Sequence, residues 1–135
     1  FSELFGDHPL FTLDNSFSSS ATLLESDLIV SDWSGAAHDF ALGLLRPAIF
    51  MDTPQKAHNN TYPQLDIECY EDVVREELGA LVSLHQADSL PDVVNSLLDD
   101  QIEWQQRLKL LRNQVLFNPG EAINVAAMQI LDLVT

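Results

Sequence analysis

The chain has 135 residues, enough for one domain able to bury roughly two thirds of the surface its unfolded form exposes. With 46% hydrophobic residues it reads as globular. Its formal net charge of −15 excludes a nucleic-acid or anionic-lipid surface, which needs clustered Lys and Arg.

The basic residues, Arg46, Lys56, Arg75, Arg107, Lys109 and Arg112, lie scattered along the chain, and the acidic excess reads as solubility. Cys69 is the one cysteine, so no internal disulfide and no cysteine-rich metal site is expected. No apolar run approaches the roughly 20 residues that span a bilayer, and no signal peptide is visible. A cytoplasmic protein is therefore expected, with any attachment to the inner membrane face made by parts outside this segment. Beginning at Phe1, the chain is expected to be a piece of something longer.

Gly6-Asp7-His8-Pro9 is turn chemistry, followed by a short strand candidate, Leu10-Phe11-Thr12-Leu13, that Asp14-Asn15 ends. Ser16 or Ser18 is placed to cap a helix over 19–25, with Ala21, Leu23 and Leu24 on its apolar face. Asp27 to Ser31 reads as the second strand. Its Leu-Ile-Val run does not alternate, as expected of a parallel strand covered on both faces. A helix follows from about Gly35 to Leu44, with Ala37, Phe40, Ala41 and Leu44 at helical spacing, and Arg46-Pro47 stops it.

Ala48-Ile49-Phe50-Met51 is a third unbroken apolar strand, ending in Asp52. Thr53 to Asp66 reads as a long loop, of the kind that tends to be functional or mobile. Its Asn59-Asn60-Thr61 sequon is read as chance, for want of a secretory context. Glu71 to Leu78 predicts a short helix that Gly79 terminates, and Ala80-Leu81-Val82 a fourth strand. Ser89 caps the next predicted helix, with Pro91 in its first turn. Gln101 to Leu116 is strongly periodic through Ile102, Trp104, Leu108, Leu111 and Val115. Asn118-Pro119-Gly120 breaks it before a last helix over Glu121 to Leu133.

Strands alternating with helices predict an α/β fold, with βαβ units on a parallel sheet of about four strands and an α-rich C-terminal end. A complete doubly wound sheet has about five or six strands and binds its ligand where the strand order reverses. No G-x-G-x-x-G turn follows any strand here. The count fits a partial Rossmann-like sheet. Residues 1–88 would be the second half of a nucleotide-binding domain, and 89–135 helices packing on it.

The stretch from Ser31 to Asp39 carries the most chemistry. Ser34, Gly35, Ala36 and Ala37 are small enough for a ligand to approach the backbone. Ser31 and Ser34 add hydroxyls, and the helix beginning near Gly35 adds its positive end. A phosphate or pyrophosphate would be well served. Equally, Ser34 can simply cap the helix while Asp32 satisfies the turn. From the residues alone both roles stay open.

Ser26-Asp27-Leu28-Ile29-Val30-Ser31-Asp32-Trp33-Ser34-Gly35-Ala36-Ala37-x-Asp39-Phe40-Ala41 is continued by Gly43-Leu44-x-Arg46-Pro47-x-Ile49-Phe50-x-Asp52-x-Pro54-x-Lys56. Together they resemble the CDP-glycerol glycerophosphotransferase (teichoic-acid polymerase-like) family, nearest to its surface-carbohydrate biosynthesis members. Asn59-Asn60-x-Tyr62 and Arg75-Glu76-x-Leu78-Gly79 agree, and the similarity covers residues 24–82 well and the remainder loosely.

The resemblance implies a GT-B transferase: two Rossmann-like domains, the donor nucleotide held mainly by the C-terminal one, of which this chain is the later half. The donor would be a CDP-polyol or a nucleotide sugar. Ser31, Ser34, Gly35 and Ala36 would contact its pyrophosphate, Asp32 would hold the turn, and Asp39 would bind a ribose or sugar hydroxyl. Asp52 and Lys56 would line the cleft, or sit in a solvated loop. The family's catalytic His-Pro motif lies well upstream of the Ser-Asp turn. His8-Pro9 stands too close to Asp32 and is read as coincidence, so no catalytic residue is assigned. The missing N-terminal half of the same protein is then the expected partner, and the segment alone is expected to be inactive.

An epimerase acting on nucleotide sugars shares this architecture, but Trp33 within the turn fits the transferase pattern better. A non-enzymatic alternative is an acidic α/β interaction module that binds a partner through its helical end, residues 90–133, and self-associates through an open sheet edge. His38, in the helix beside Asp39, is read as a surface residue, with general acid/base work as the sharper option. His58 and His85 have no metal-ligand spacing, so no metal or other cofactor is expected. Trp104 reads as core or a domain contact, and Asp99, Asp100 and Glu103 as a solvated face.

Overall fold

A computed structural model describes residues 1–15, 20–54, 61–64 and 67–134. Three short parallel strands form the sheet: β1 (Ile29–Ser31), β2 (Ala48–Asp52) and β3 (Gly79–Ser83), side by side in that order. Ile29 stands opposite Ala48, and Ala48 opposite Gly79, so all three strands end at one edge. Two short helices, α1 (Ser2–Phe5) and α2 (Ser20–Glu25), precede them. α3 (Gly35–Leu44) connects β1 to β2, and α4 (Tyr70–Leu78) leads directly into β3. A 3₁₀ stretch, Leu84–Ser89, then opens the helical end: α5 (Leu90–Asp99), α6 (Gln101–Val115) and α7 (Ala122–Val134).

The sheet separates two apolar clusters. On one face Ala48 and Phe50 pack with Ala37, Ala41 and Leu42 of α3, Val74 and Leu78 of α4, and Leu108 and Leu111 of α6. On the other, Ile49 and Val82 pack with Leu97 of α5. Trp104, partly buried, packs against both clusters, so α6 joins the two layers. Ile49, Phe50, Leu78 and Leu108 are 0% exposed, and each contributes roughly 1.5–3 kcal/mol of apolar burial. β2, flanked on both sides, is buried on both faces over Ala48–Phe50, which accounts for its unbroken apolar run. Asp99, Asp100 and Glu103 are solvent-exposed, as read from the sequence.

Several expectations are corrected. The sheet has three strands among the described residues; Leu10 to Leu13 pairs with nothing there. Phe11 instead folds back so that its amide donates to His8 O, and its ring lies 5.8 Å from that of Phe5. Local aromatic contact wins over strand pairing because no apolar face covers this segment: Leu10 is 90% exposed. β1 is a half-covered edge strand whose central Val30 is exposed, since α5 lies over β3 rather than β1.

Gly79 ends α4 without a left-handed residue: its backbone is extended and already belongs to β3. Ser89 does not cap α5. Its hydroxyl donates to Gln86 O, 2.7 Å, because the preceding 3₁₀ turn runs straight into the helix. Ile102 lies on the solvent side of α6 and is 74% exposed. α7 forms where expected but buries none of its residues. Ser16, Ser18 and Lys56 lie outside the described residues. Among those described, no helix is long and apolar enough to cross a membrane.

Candidate functional site

The loops leaving β1, β2 and β3 gather at the edge where the strands end, the side on which open parallel sheets bind ligands. β1 finishes at Ser31, and the chain turns through Asp32 and Trp33 into α3. Ser34 is extended (φ −92°, ψ 131°), and its Oγ accepts from the Ala36 amide at 3.3 Å. It is therefore the N-cap of α3, as the local pattern of small polar residues dictates. The hydroxyl keeps its own proton to donate, and Gly35 and Ala36 are exposed at the positive end of the helix. A Cβ at Gly35 would meet nothing within 4 Å, so the backbone there is open to close approach.

Beside this turn lies a cleft of about 590 Å³, walled by Trp33, Asp52, Thr53, Pro54, Asp72, Arg75, Ser83, Leu84 and His85. Arg75 is its centre. Only 7% exposed, it places its guanidinium carbon 3.5 Å from the centroid of the Trp33 ring and Nη2 3.4 Å from Asp52 Oδ1. Trp33 is itself anchored, its Nε1 donating to Thr53 O at 2.9 Å. A stacked, desolvated guanidinium gains about 2 kcal/mol from the ring. A single long contact to a half-exposed carboxylate does not satisfy it. Nε and Nη1 are buried with no partner among the described residues.

The expected site residues divide between two places. Asp52 lines the cleft; Ser31, Asp32, Ser34, Gly35 and Ala36 are not among its walls but belong to the adjoining turn, which Trp33 shares with it. Asp39 stands apart, in an apolar depression with Leu23, Leu24, Phe40 and Leu44. Asp32 is exposed. Arg46, read from sequence only as a helix stop, donates from Nη1 to Leu24 O and Ser26 O, holding the C-terminal end of α2.

His38 is a correction: it is buried, not on the surface. α3 is covered by the sheet, α4 and α6 together, and this side of it faces Phe50 and Tyr70, with ring centroids 5.7 Å and 6.4 Å away. Nδ1 lies 3.3 Å from Ser34 O, which only accepts, so Nδ1 carries the proton in this pairing. Nε2 is buried and without a partner among the described residues. Burial, and secondarily the Glu77 charge, raise the Tyr70 phenol above its ordinary value of 10.0.

Sequence reasoning did not single out Arg75 as a site residue. The available signal was its place between Val74 and Leu78, on the inward side of a short helix, where a lone cation is unusual. Among the described residues no group of three or more His, Cys, Asp or Glu side chains is placed to hold a metal ion. Comparison of the chain with protein-family models, curated proteins and solved structures finds no match.

Proposed function

We propose that the chain is the donor-binding part of a transferase that builds cell-surface polysaccharide or a teichoic-acid-like polymer from a CDP-polyol or nucleotide sugar. It would be the later half of the C-terminal Rossmann-like domain of a GT-B enzyme. The observation that carries this reading is the Ser31–Ala36 turn. It leaves the end of a parallel strand and enters α3 through a serine N-cap, with an open glycine backbone beside it. The sequence resemblance assigns the same turn to the donor pyrophosphate.

In this role the Ser34 hydroxyl donates to a phosphate oxygen while still accepting from Ala36. The first amides of α3 and the helix dipole stabilise the charge that grows on the departing nucleotide. A net charge of −15 makes such local dipoles necessary, because the chain as a whole repels phosphate. Asp39, facing the α2 side, would meet donor hydroxyls only at the margin of the turn.

Calorimetric titration with CDP-glycerol and UDP-glucose tests the reading. Ser34→Trp and Gly35→Val are expected to lower donor affinity about tenfold or more, by filling the approach and removing a charge-assisted hydrogen bond. Affinity unchanged in both variants would remove the phosphate role. A second reading, self-association, is favoured by one observation: α7 leaves Ile123, Met128, Ile130, Leu131, Leu133 and Val134 more than 60% exposed.

A further inference from the structure

Resting on the donor-binding reading, we infer that Trp33 is the positioning residue of the phosphate turn, and that Arg75 serves donor binding by seating the Trp33 ring, not by touching the donor. Trp33 stands between β1 and Ser34, so its placement sets where the Ser34 hydroxyl and the first amides of α3 point. Asp32 before it and Gly35 beyond Ser34 are exposed. The half-buried indole is therefore the large side chain that anchors this turn to the body of the protein.

The ring is held on its face and at its edge. Arg75, from α4, lays its guanidinium carbon 3.5 Å from the ring centroid. At the edge, Nε1 donates to Thr53 O at 2.9 Å. The Thr53 backbone is itself fixed, because its amide donates back to Met51 O at 2.8 Å as the chain leaves β2. One indole thus ties the turn after β1 to the end of β2 and to α4. Ser34 is steadied from the helix side as well: its carbonyl accepts from the Ala37 amide at 3.1 Å and lies 3.3 Å from His38 Nδ1. With both flanks fixed, the turn meets a phosphate already ordered, and binding avoids that entropy cost.

Arg75 is placed for this task and not for contact with a ligand. Its Nε and Nη1 are buried, out of reach from the cleft. Its Nη2 is turned to Asp52 at 3.4 Å. A buried cation with unmet donors costs stability unless something offsets it, and here the face of the indole stands against it. Arginine suits the position, because a flat guanidinium stacks on a ring where the compact ammonium of lysine does not. The buried cation acts on phosphate binding without facing the phosphate.

The deciding variant is Arg75→Lys, which keeps the charge and loses the flat stack. Donor affinity is measured by calorimetry with CDP-glycerol and UDP-glucose. The seat of the ring is read from the indole N–H signals of Trp33 and Trp104 in a nitrogen-correlated NMR spectrum, the Trp33 signal being the one that Trp33→Phe removes. In Arg75→Lys the Trp33 signal is expected to move in the ligand-free protein, and donor affinity to fall about tenfold. Wild-type affinity in this variant overturns the inference. So does a fall in affinity with the Trp33 signal unmoved, which would put Arg75 itself in contact with the donor. Should Arg75→Lys not fold, Trp33→Leu decides in its place: binding about tenfold weaker is expected, and unchanged affinity overturns the inference. In each of these cases, loss of binding in Ser34→Trp leaves the donor reading standing. A wild-type chain that binds neither donor overturns both.

Discussion

Gly79 stands where α4 passes into β3, opposite Ala48 of the central strand. A Cβ at this position would run into the carbonyl oxygen of Ala48, a backbone atom held on both sides by the ladder. Strand β3 can pair with β2 only because the side chain is missing. Gly79→Ala is therefore expected to lower stability by about 1–3 kcal/mol, the cost of forcing extra volume into a packed site, read from the urea midpoint. A variant as stable as wild type would show that the helix-to-strand junction can shift without loss. The sequence points to Gly79 as a break, and the structure supplies a different cause. Arg75 shows the opposite case. Its place between Val74 and Leu78 marks it as an inward cation, but nothing local says what it meets, because Trp33 and Asp52 come from the ends of two other strands.

At the scale of elements, β2, α3 and α6 follow directly from composition and spacing. Ala48-Ile49-Phe50 has no polar alternation because apolar residues cover both sides of it. α3 begins where Ser34 caps it, and the cap makes its own contribution whatever else the hydroxyl does. Ser34→Ala is expected to lower unfolding free energy by about 1 kcal/mol, measured by chemical denaturation without ligand. No change would mean that the 3.3 Å contact to the Ala36 amide adds nothing to the helix. Leu10 to Leu13 had the residues of a strand and, among the described residues, no neighbour to pair with. A strand needs a partner edge, which its own sequence cannot provide. β1 likewise reads as a buried strand but lies at the sheet's edge, beyond the cover of α5.

Across the whole molecule, the two core clusters end at α6, and α7 adds no buried residue. Its residues 122–134 carry one charged side chain, Asp132, on an otherwise strongly acidic chain. A helix that is apolar around most of its circumference is stable in water only when something covers it. Removing residues 122–135 is expected to leave the unfolding temperature within about 2 °C of wild type, because no core contact is lost. If self-association is real, light scattering after size exclusion should show a larger species that this truncation returns to a monomer. A monomer before and after the truncation removes the self-association reading, and a marked fall in unfolding temperature would show that α7 packs on the core.

By itself, the sequence determined the alternation of strands and helices, the capped turn after β1, and the glycine between α4 and β3. Each is written in steric and hydrogen-bonding preferences that act over a few residues. Only the tertiary structure decided that the sheet has three strands among the described residues, that His38 is inside, and that Trp33, Asp52 and Arg75 meet. Those outcomes depend on which strand ends align and which helix faces are covered. Strand register and helix packing set both, through contacts between residues far apart in the chain.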